Sequence, residues 1–349
     1  MTERKKIAIV GTVGVPARYG GFETLAEYLL DTGKIGTVYC SARSYEIKRA
    51  VYKGARLVYI PLNANGVQSI FYDGLALLHA TLTGEKNILL LGVSGAIFVP
   101  IVKLISRRAR IVTNIDGLEW KRQKWGAVSK AFLKFSEKIA VKYSDIVIAD
   151  NQAIVEYVRS EYGKESTLIT YGGDHAVAGL QCAEEPEDYA LALCRIEPEN
   201  KVHIILEAFG KTKKKLMFVG NWGNSSYGRE LMKRYSGCDN IQILNAIYDQ
   251  EALFKIREKC SVYIHGHSAG GTNPALVEMM HFGKPIIAFD CQYNRESTEG
   301  MAKYFHDEES LRKVLDEDKA LREVAIKMVD IARRRYTWSL IGKQYSELF

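Results

Sequence analysis

The chain of 349 residues lacks the features that define several protein classes. Its six cysteines, Cys40, Cys182, Cys194, Cys238, Cys260 and Cys291, are scattered and form no C-x-x-C pair. Such spacing disfavours a disulfide framework or a zinc ribbon and fits reduced thiols beside apolar neighbours. There is no low-complexity segment and no internal repeat, and 47% hydrophobic with 26% charged residues is ordinary for a globular protein. Long hydrophobic runs are scarce as well. The longest, 88–105, approaches the ~20 residues that span a bilayer, yet it is broken by Gly92, Gly95, Pro100 and Lys103. It reads as a buried strand, a loop and a helix. The N-terminus runs straight into a strand at 7–10 and leaves no room for a signal peptide, so a cytoplasmic protein is expected.

The length exceeds the usual single-domain range, so two domains are expected, each able to bury its own core. Positive charge is in excess, +7, and unevenly spread. Between Lys103 and Lys142 eleven basic residues, Lys124 among them, face only Asp116, Glu119 and Glu137. Lys130, Lys134, Lys138 and Lys142 recur every four residues and are expected to line one helical stripe, with Trp120, Trp125, Phe132 and Phe135 interleaved. Such a stretch suits an anionic lipid surface, a solvated helix face or a nucleic-acid groove, and lipid is the preferred reading.

Strand and helix patterns alternate from the start. Strands are expected at 7–10, 36–40, 55–60, 88–91, 110–115, 146–149 and 166–169, with helices at 22–31, 69–82, 96–105, 129–143 and 152–162. After a glycine-rich, then acidic linker at 172–188, a second set follows: strands at 190–194, 215–219, 241–244, 261–264 and 286–289, with helices between them. The last stretch, 320–349, is mostly helical. Both sets read as α/β, doubly wound parallel sheets.

The densest signal lies at 265–288, which reads as loop, capped helix, stop and strand. Gly270 and Gly271 permit a tight turn, Asn273 suits the N-cap, Pro274 suits the first helical position, and Gly283 with Pro285 ends the helix. Free N–H groups at such a helix start suit an anion, and Glu278, just over one turn in, is placed to accept from sugar hydroxyls beside a phosphate. The first strand–helix junction, Gly11 to Glu23, is not G-x-G-x-x-G, because Gly14 follows Gly11 and the pair Gly20–Gly21 comes late. A dehydrogenase is therefore disfavoured, although Gly20 and Gly21 still offer N–H groups to a phosphate, with Arg18 close by. Arg195 and Lys201 flank another helix start and supply two cations for a leaving pyrophosphate. No D-x-D stands at a strand end, since Asp316 and Asp318 lie in a polar segment, so fixed cations would replace a metal. His265 and His267 alternate by two, but zinc needs further ligands and none stand at useful spacing. Loop packing and contact with a bound phosphate or sugar both remain open for them. Asp116 follows an apolar strand at the carboxyl edge of a parallel sheet, where ligands bind, although an Asx turn is an alternative. Gly172, Gly173, Asp174 and His175 form an expected hinge.

On these residues the chain resembles, nearly end to end, the retaining nucleotide-sugar glycosyltransferases of family 4. Gly20–Gly21 is similar to the family's N-domain glycine loop, and Asn-Ile-Asp-Gly at 114–117 to the position near the reacting sugar. Cys-Arg-Ile-Glu-Pro-Glu-Asn-Lys at 194–201 resembles the G-R-L-x-P-E-K segment that holds the donor pyrophosphate. Gly270 to Glu278 resembles the E-x7-E motif, and Tyr-Thr-Trp at 336–338 the aromatic segment that opens a last helix returning to the N-domain. The first Glu of E-x7-E falls on Gly270, which leaves only the ribose-binding Glu278 and assigns the sugar to backbone N–H groups.

The resemblance implies the GT-B architecture, two Rossmann-like doubly wound domains facing across a cleft. An acceptor-binding domain would span 1–172, completed by a C-terminal helix at 331–349, and a nucleotide-sugar domain 187–330. Catalytic roles are implied for Asp116, Arg195 and Lys201. Donor contacts are implied for Gly20, Gly21, Arg195, Lys201, His267, Gly271, Thr272, Asn273 and Glu278, and acceptor contacts for Arg18, Glu119, Trp120 and Arg122. No metal and no cofactor are expected. The wording of the two glycine loops resembles the bacterial rhamnosyltransferase branch of capsule, O-antigen and wall polysaccharide synthesis. That implies dTDP-rhamnose as donor, a lipid-linked or saccharide acceptor, an anionic inner-membrane surface and no nucleic acid. A nucleotide-sugar epimerase and a non-catalytic nucleotide-sugar-binding membrane module are the alternatives.

Overall fold

The computed structural model of the chain describes residues 6–18, 20–123, 125–179 and 186–349, with backbone alone at 318–320. Expectations that concern residues 1–5, Lys124, Cys182, the acidic part of the linker at 180–185 and the side chain of Asp318 lie outside the described residues. Two compact units divide the chain, Met1–Thr170 with Trp338–Phe349, and Tyr171–Thr337.

The first unit opens with β1 (Ile7–Val10), α1 (Gly21–Leu30), β2 (Ile35–Ser41), β3 (Val51–Tyr52) and β4 (Ala55–Ile60). It continues through α2 (Gln68–Leu82), β5 (Asn87–Leu91), α3 (Val99–Ile105), β6 (Arg110–Asn114), α4 (Ala127–Tyr143), β7 (Ile146–Ala149), α5 (Gln152–Tyr162) and β8 (Thr167–Leu168). The strands form one sheet in the order β3-β4-β2-β1-β5-β6-β7-β8. Every pairing is parallel except the β3–β4 hairpin, which turns on Lys53 and Gly54, both at positive φ. Such a two-residue strand has no periodicity to read, and the sequence gives no sign of it. β1 and β5 are wholly buried, as continuous apolar strands covered on both faces should be. From β1 the chain moves outward to β2 and β4, then returns through α2 to β5 and proceeds the other way. Right-handed crossovers therefore put α1 on one face and α2 to α5 on the other.

The second unit runs β9 (Ala190–Leu193), α6 (Val202–Gly210), β10 (Leu216–Val219), α7 (Ser226–Tyr235), β11 (Ile241–Leu244), α8 (Gln250–Lys259) and β12 (Val262–His265). It ends with α9 (Pro274–Met280), β13 (Ile286–Phe289), α10 (Gln292–Ser297), β14 (Lys303–Phe305), α11 (Glu308–Leu315) and α12 (Asp318–Arg335). Its sheet is parallel throughout, in the order β11-β10-β9-β12-β13-β14. Phe209, Phe218, Trp222 and Phe305 fill its core. The last helix, α13 (Trp338–Glu347), belongs to the first unit, where Trp338 stacks on Tyr28 with ring centroids 4.7 Å apart. The division thus falls at 337/338. The expected boundary at 330/331 lies inside α12, which packs on α9 and β13. Both units are doubly wound parallel α/β layers, and their topology reverses between β1 and β5 and again between β9 and β12. Among the described residues no helix is long and apolar enough to cross a membrane.

Candidate functional site

Ligands of open parallel sheets bind beyond the carboxyl ends of the strands where the topology reverses. In the second unit that place is the adjacent ends of β9 and β12. After β9 the segment from Cys194 closes in a 3-10 turn, Pro198–Asn200, and Lys201, left-handed at φ 50°, opens α6. After β12 the glycine loop leads to α9, with Asn273 as its N-cap.

Asn200 stitches the two segments together. Its amide nitrogen donates to the Arg195 carbonyl at 2.7 Å, so its oxygen is the acceptor facing His267 Nδ1 at 3.0 Å. That bond assigns the N–H of His267 to Nδ1. The Glu199 carbonyl accepts from the backbone N–H of Ser268 at 3.0 Å and from its hydroxyl at 2.7 Å. At Gly266 a Cβ would stand 2.1 Å from the Asn200 carbonyl oxygen, so only glycine lets the segments approach. Asn294 of α10 completes the frame by donating to the carbonyls of His267 and Phe289, both at 2.8 Å.

Within this frame Arg195 reaches outward, its side chain 42% exposed and its Nε 3.9 Å from Glu197. The Lys201 ammonium lies 4.8 Å from the centroid of the Phe289 ring. Gly271 and Thr272 are buried in the loop, and the Asn273 carboxamide is committed to its helix, accepting from Ala275 N–H at 3.0 Å. Gly270 has φ 115°, and a Cβ there would come within 3.3 Å of His267 Nε2. A glutamate at 270 would be strained and crowded in this loop conformation.

Several buried polar atoms around this edge have no hydrogen-bond partner, namely His265 Nε2, Glu199 Oε1 and Arg257 Nε. Such atoms are few in folded proteins and mark places where a ligand or water completes the bonding. Burial pushes the His265 pKa down to about 3, so it stands as a neutral imidazole. Among the described residues no group of three or more His, Cys, Asp or Glu is arranged to hold a metal ion.

Glu278 is held more firmly than its position in the sequence suggests. Its Oε2 forms a short ion pair with Arg257 of α8, and its Oε1 lies 3.4 Å from His175 Nε2. Burial acts to raise its pKa, but Arg257 and His175 outweigh it and hold the carboxyl below the usual glutamate range. Arg257 escaped the sequence reading because a basic residue in a last helical turn looks like a partner for the helix dipole.

In the first unit, Gly20 at φ 116° caps α1 and Gly21 opens it. The carboxylate of Glu23 accepts from Arg18 N–H at 3.2 Å and lies where a Cβ on Gly20 would come within 3.3 Å of it. A phosphate at Gly20 and Gly21 would therefore meet a carboxylate as well as N–H groups. The Arg18 guanidinium donates to the Ser44 carbonyl at 3.0 Å and lies 5.0 Å from the Tyr45 ring centroid.

Asp116 stands beyond β6 in the left-handed region, φ 61°, a conformation that few residues other than glycine, asparagine and aspartate adopt. The Asx turn here belongs to Asn114, whose Oδ1 accepts from Asp116 N–H at 2.9 Å while its Nδ2 donates to the Tyr345 hydroxyl at 2.7 Å. Glu119 accepts from Trp125 Nε1 and pairs with Arg122 Nε, both at 3.0 Å. Trp120 donates to the buried Glu137 at 3.1 Å, and Glu137 also accepts from the hydroxyls of Tyr157 and Tyr162, both at 2.6 Å.

This cluster corrects the expected lysine stripe. The half-buried Lys134 ammonium lies 4.6, 4.7 and 5.1 Å from the ring centroids of Trp120, Tyr157 and Tyr162, and it pairs with Glu161 at 2.9 Å. A spacing of four overshoots the 3.6-residue turn by about 40° per step, so Lys130 and Lys142 diverge by about 120° and the four lysines share no single line.

Residues 4–174 match the family described as Domain of unknown function (DUF1972), and residues 182–317 match Glycosyl transferases group 1. Curated proteins give no match. Among solved structures, sucrose-phosphate synthase from Thermosynechococcus elongatus is 15% identical with a TM-score of 0.77, over 99% of this chain and 98% of that one. HepE of Anabaena, in complex with UDP and glucose, is 15% identical with a TM-score of 0.72 over 99% of each chain. The catalytic domain of starch synthase IV from Arabidopsis thaliana, bound to ADP and acarbose, is 14% identical with a TM-score of 0.73, again over 99% of each. Over residues 182–317 the second unit matches a glycosyltransferase group 1 domain and the fold is that of the GT-B glycosyltransferases, which together support a glycosyltransferase.

Proposed function

We propose that the protein is a retaining hexosyltransferase that moves L-rhamnose from dTDP-rhamnose to a lipid-linked or saccharide acceptor in cell-surface polysaccharide synthesis. It works in the cytoplasm at the inner face of the membrane. The observation that carries the reading is the frame at β9 and β12, where the Arg195–Lys201 segment and the glycine loop are fastened together by Asn200. The nucleoside diphosphates named with HepE and starch synthase IV support a donor of that class.

In this reading Arg195 and Lys201 meet the charge that develops on the leaving pyrophosphate, in place of a metal. The C1–phosphate oxygen bond breaks while C1 bonds to the acceptor oxygen on the same face, and the departing phosphate takes the acceptor's proton. Glu278, kept ionised by Arg257, accepts from the ribose hydroxyls, and Asp116 of the first unit serves the acceptor. Incubation with a panel of nucleotide sugars and a lipid-linked acceptor tests the proposal. The expected product is a rhamnosyl lipid that keeps the donor's anomeric configuration and forms equally well in EDTA. An epimerised donor, or binding without turnover, would overturn it.

A further inference from the structure

Helices α2, α3 and α4 lie side by side on one face of the first unit's sheet. The residues they turn away from the sheet are unusually apolar. Phe71 and Leu75 of α2, Ile101 and Leu104 of α3, and Val128 and Phe135 of α4 are all exposed, Leu104 to 78% and Val128 to 85%. On α4 the outward line continues as Lys138 and Lys142, and α3 leads into Arg107 and Arg108, all four exposed. The only acidic residues of the three helices, Asp73 and Glu137, are buried, at 4% and 1% exposure.

Apolar side chains scattered singly need no partner, but a set shared by three adjacent helices points to an interaction surface. Its charge selects the partner. A second copy docked about a twofold axis would set this face against itself, and none of the three helices exposes an acid to pair with the cations. An anionic bilayer supplies both an acyl boundary for the apolar residues and phosphates for the cations. We propose that this face docks on an anionic phospholipid bilayer, Phe71, Leu104 and Phe135 entering the acyl boundary and Arg107, Arg108, Lys138 and Lys142 meeting headgroup phosphates. The inference rests on the proposed membrane location and gives it a surface, which is the outward line of three helices and not the four lysines spaced by four.

Co-sedimentation of the full chain with phosphatidylcholine vesicles, with and without phosphatidylglycerol, tests this in the absence of donor and acceptor. The expected result is binding that depends on phosphatidylglycerol. It should weaken by about tenfold or more in a Phe71→Ser, Leu104→Ser, Phe135→Ser variant and again in Lys138→Glu, Lys142→Glu. All five side chains are exposed, so the fold should persist, as circular dichroism would report. Nucleoside diphosphate binding, measured without vesicles, should stay at the wild-type level, which keeps a failure of docking distinct from a failure of the donor reading. Wild-type protein that remains in the supernatant overturns the proposal, as does a serine variant that binds undiminished. A dimer dissolved by the serine changes, without vesicle binding, assigns the face to a second copy and equally overturns it.

Discussion

Single side chains set the chemistry at the β9–β12 edge. His265 is one whose titration reaches stability. Its folded pKa, about 3, lies below the ordinary histidine value near 6.5, so the unfolded chain binds a proton that the folded one refuses. The stability this contributes is complete above pH ~6.5 and is lost as pH falls toward 3. Thermal melts between pH 7 and 4 should therefore show a steeper decline for the wild type than for His265→Gln; parallel curves would mean that His265 is solvated. The ion pair of Glu278 offers a second test. Arg257→Ala leaves a buried carboxylate without its cation and should cost about 3–5 kcal/mol by denaturant titration. Arg257→Met with Glu278→Leu should recover most of that loss, while affinity for a nucleoside diphosphate drops about tenfold for want of the ribose acceptor. Restored stability with unchanged affinity would make the pair purely structural. In either case the Glu278 contribution is present above the usual glutamate range and fades as pH falls through its depressed folded value.

At the scale of elements, close approach of segments distant in sequence builds the site. Gly266 lets the β12 loop lie against Asn200. Gly266→Ala should force the segments apart and destabilise the protein by about 3 kcal/mol, with nucleotide affinity lost in parallel; a wild-type denaturation midpoint would show that the loop yields. The alternation of strands and helices, the parallel sheets and the cap Asn273–Pro274 were legible because each rests on residues within a few positions of one another. Asn200 and Asn294 were not. Their partners include His267, 67 and 27 residues away, and nothing in a polar turn announces such a bond. Lys134 misled for a related reason, since its cage draws Tyr157 and Tyr162 from α5. Between β13 and α12, the six-residue helix α10 and the three-residue strand β14 are too short to show a period.

For the molecule as a whole, the two units divide the cationic work. The first carries the basic excess at 103–142, and the second carries Arg195 and Lys201 at the edge where a pyrophosphate is proposed to sit. A nucleoside diphosphate should then stabilise the second unit by mass action, about 2.7 kcal/mol at a hundredfold excess over Kd. Hydrogen exchange should resolve where. Added protection is expected at 195–201 and 266–273, the segments that Asn200 joins, and also around Glu278 and His175 through the ribose contact. Gly20 and Gly21 should exchange unchanged, because the Glu23 carboxylate lies beside them and repels a diphosphate at short range. Protection at Gly20 and Gly21 with the nucleotide alone would show that the N–H groups there outweigh Glu23, and would return the first glycine loop to the donor site.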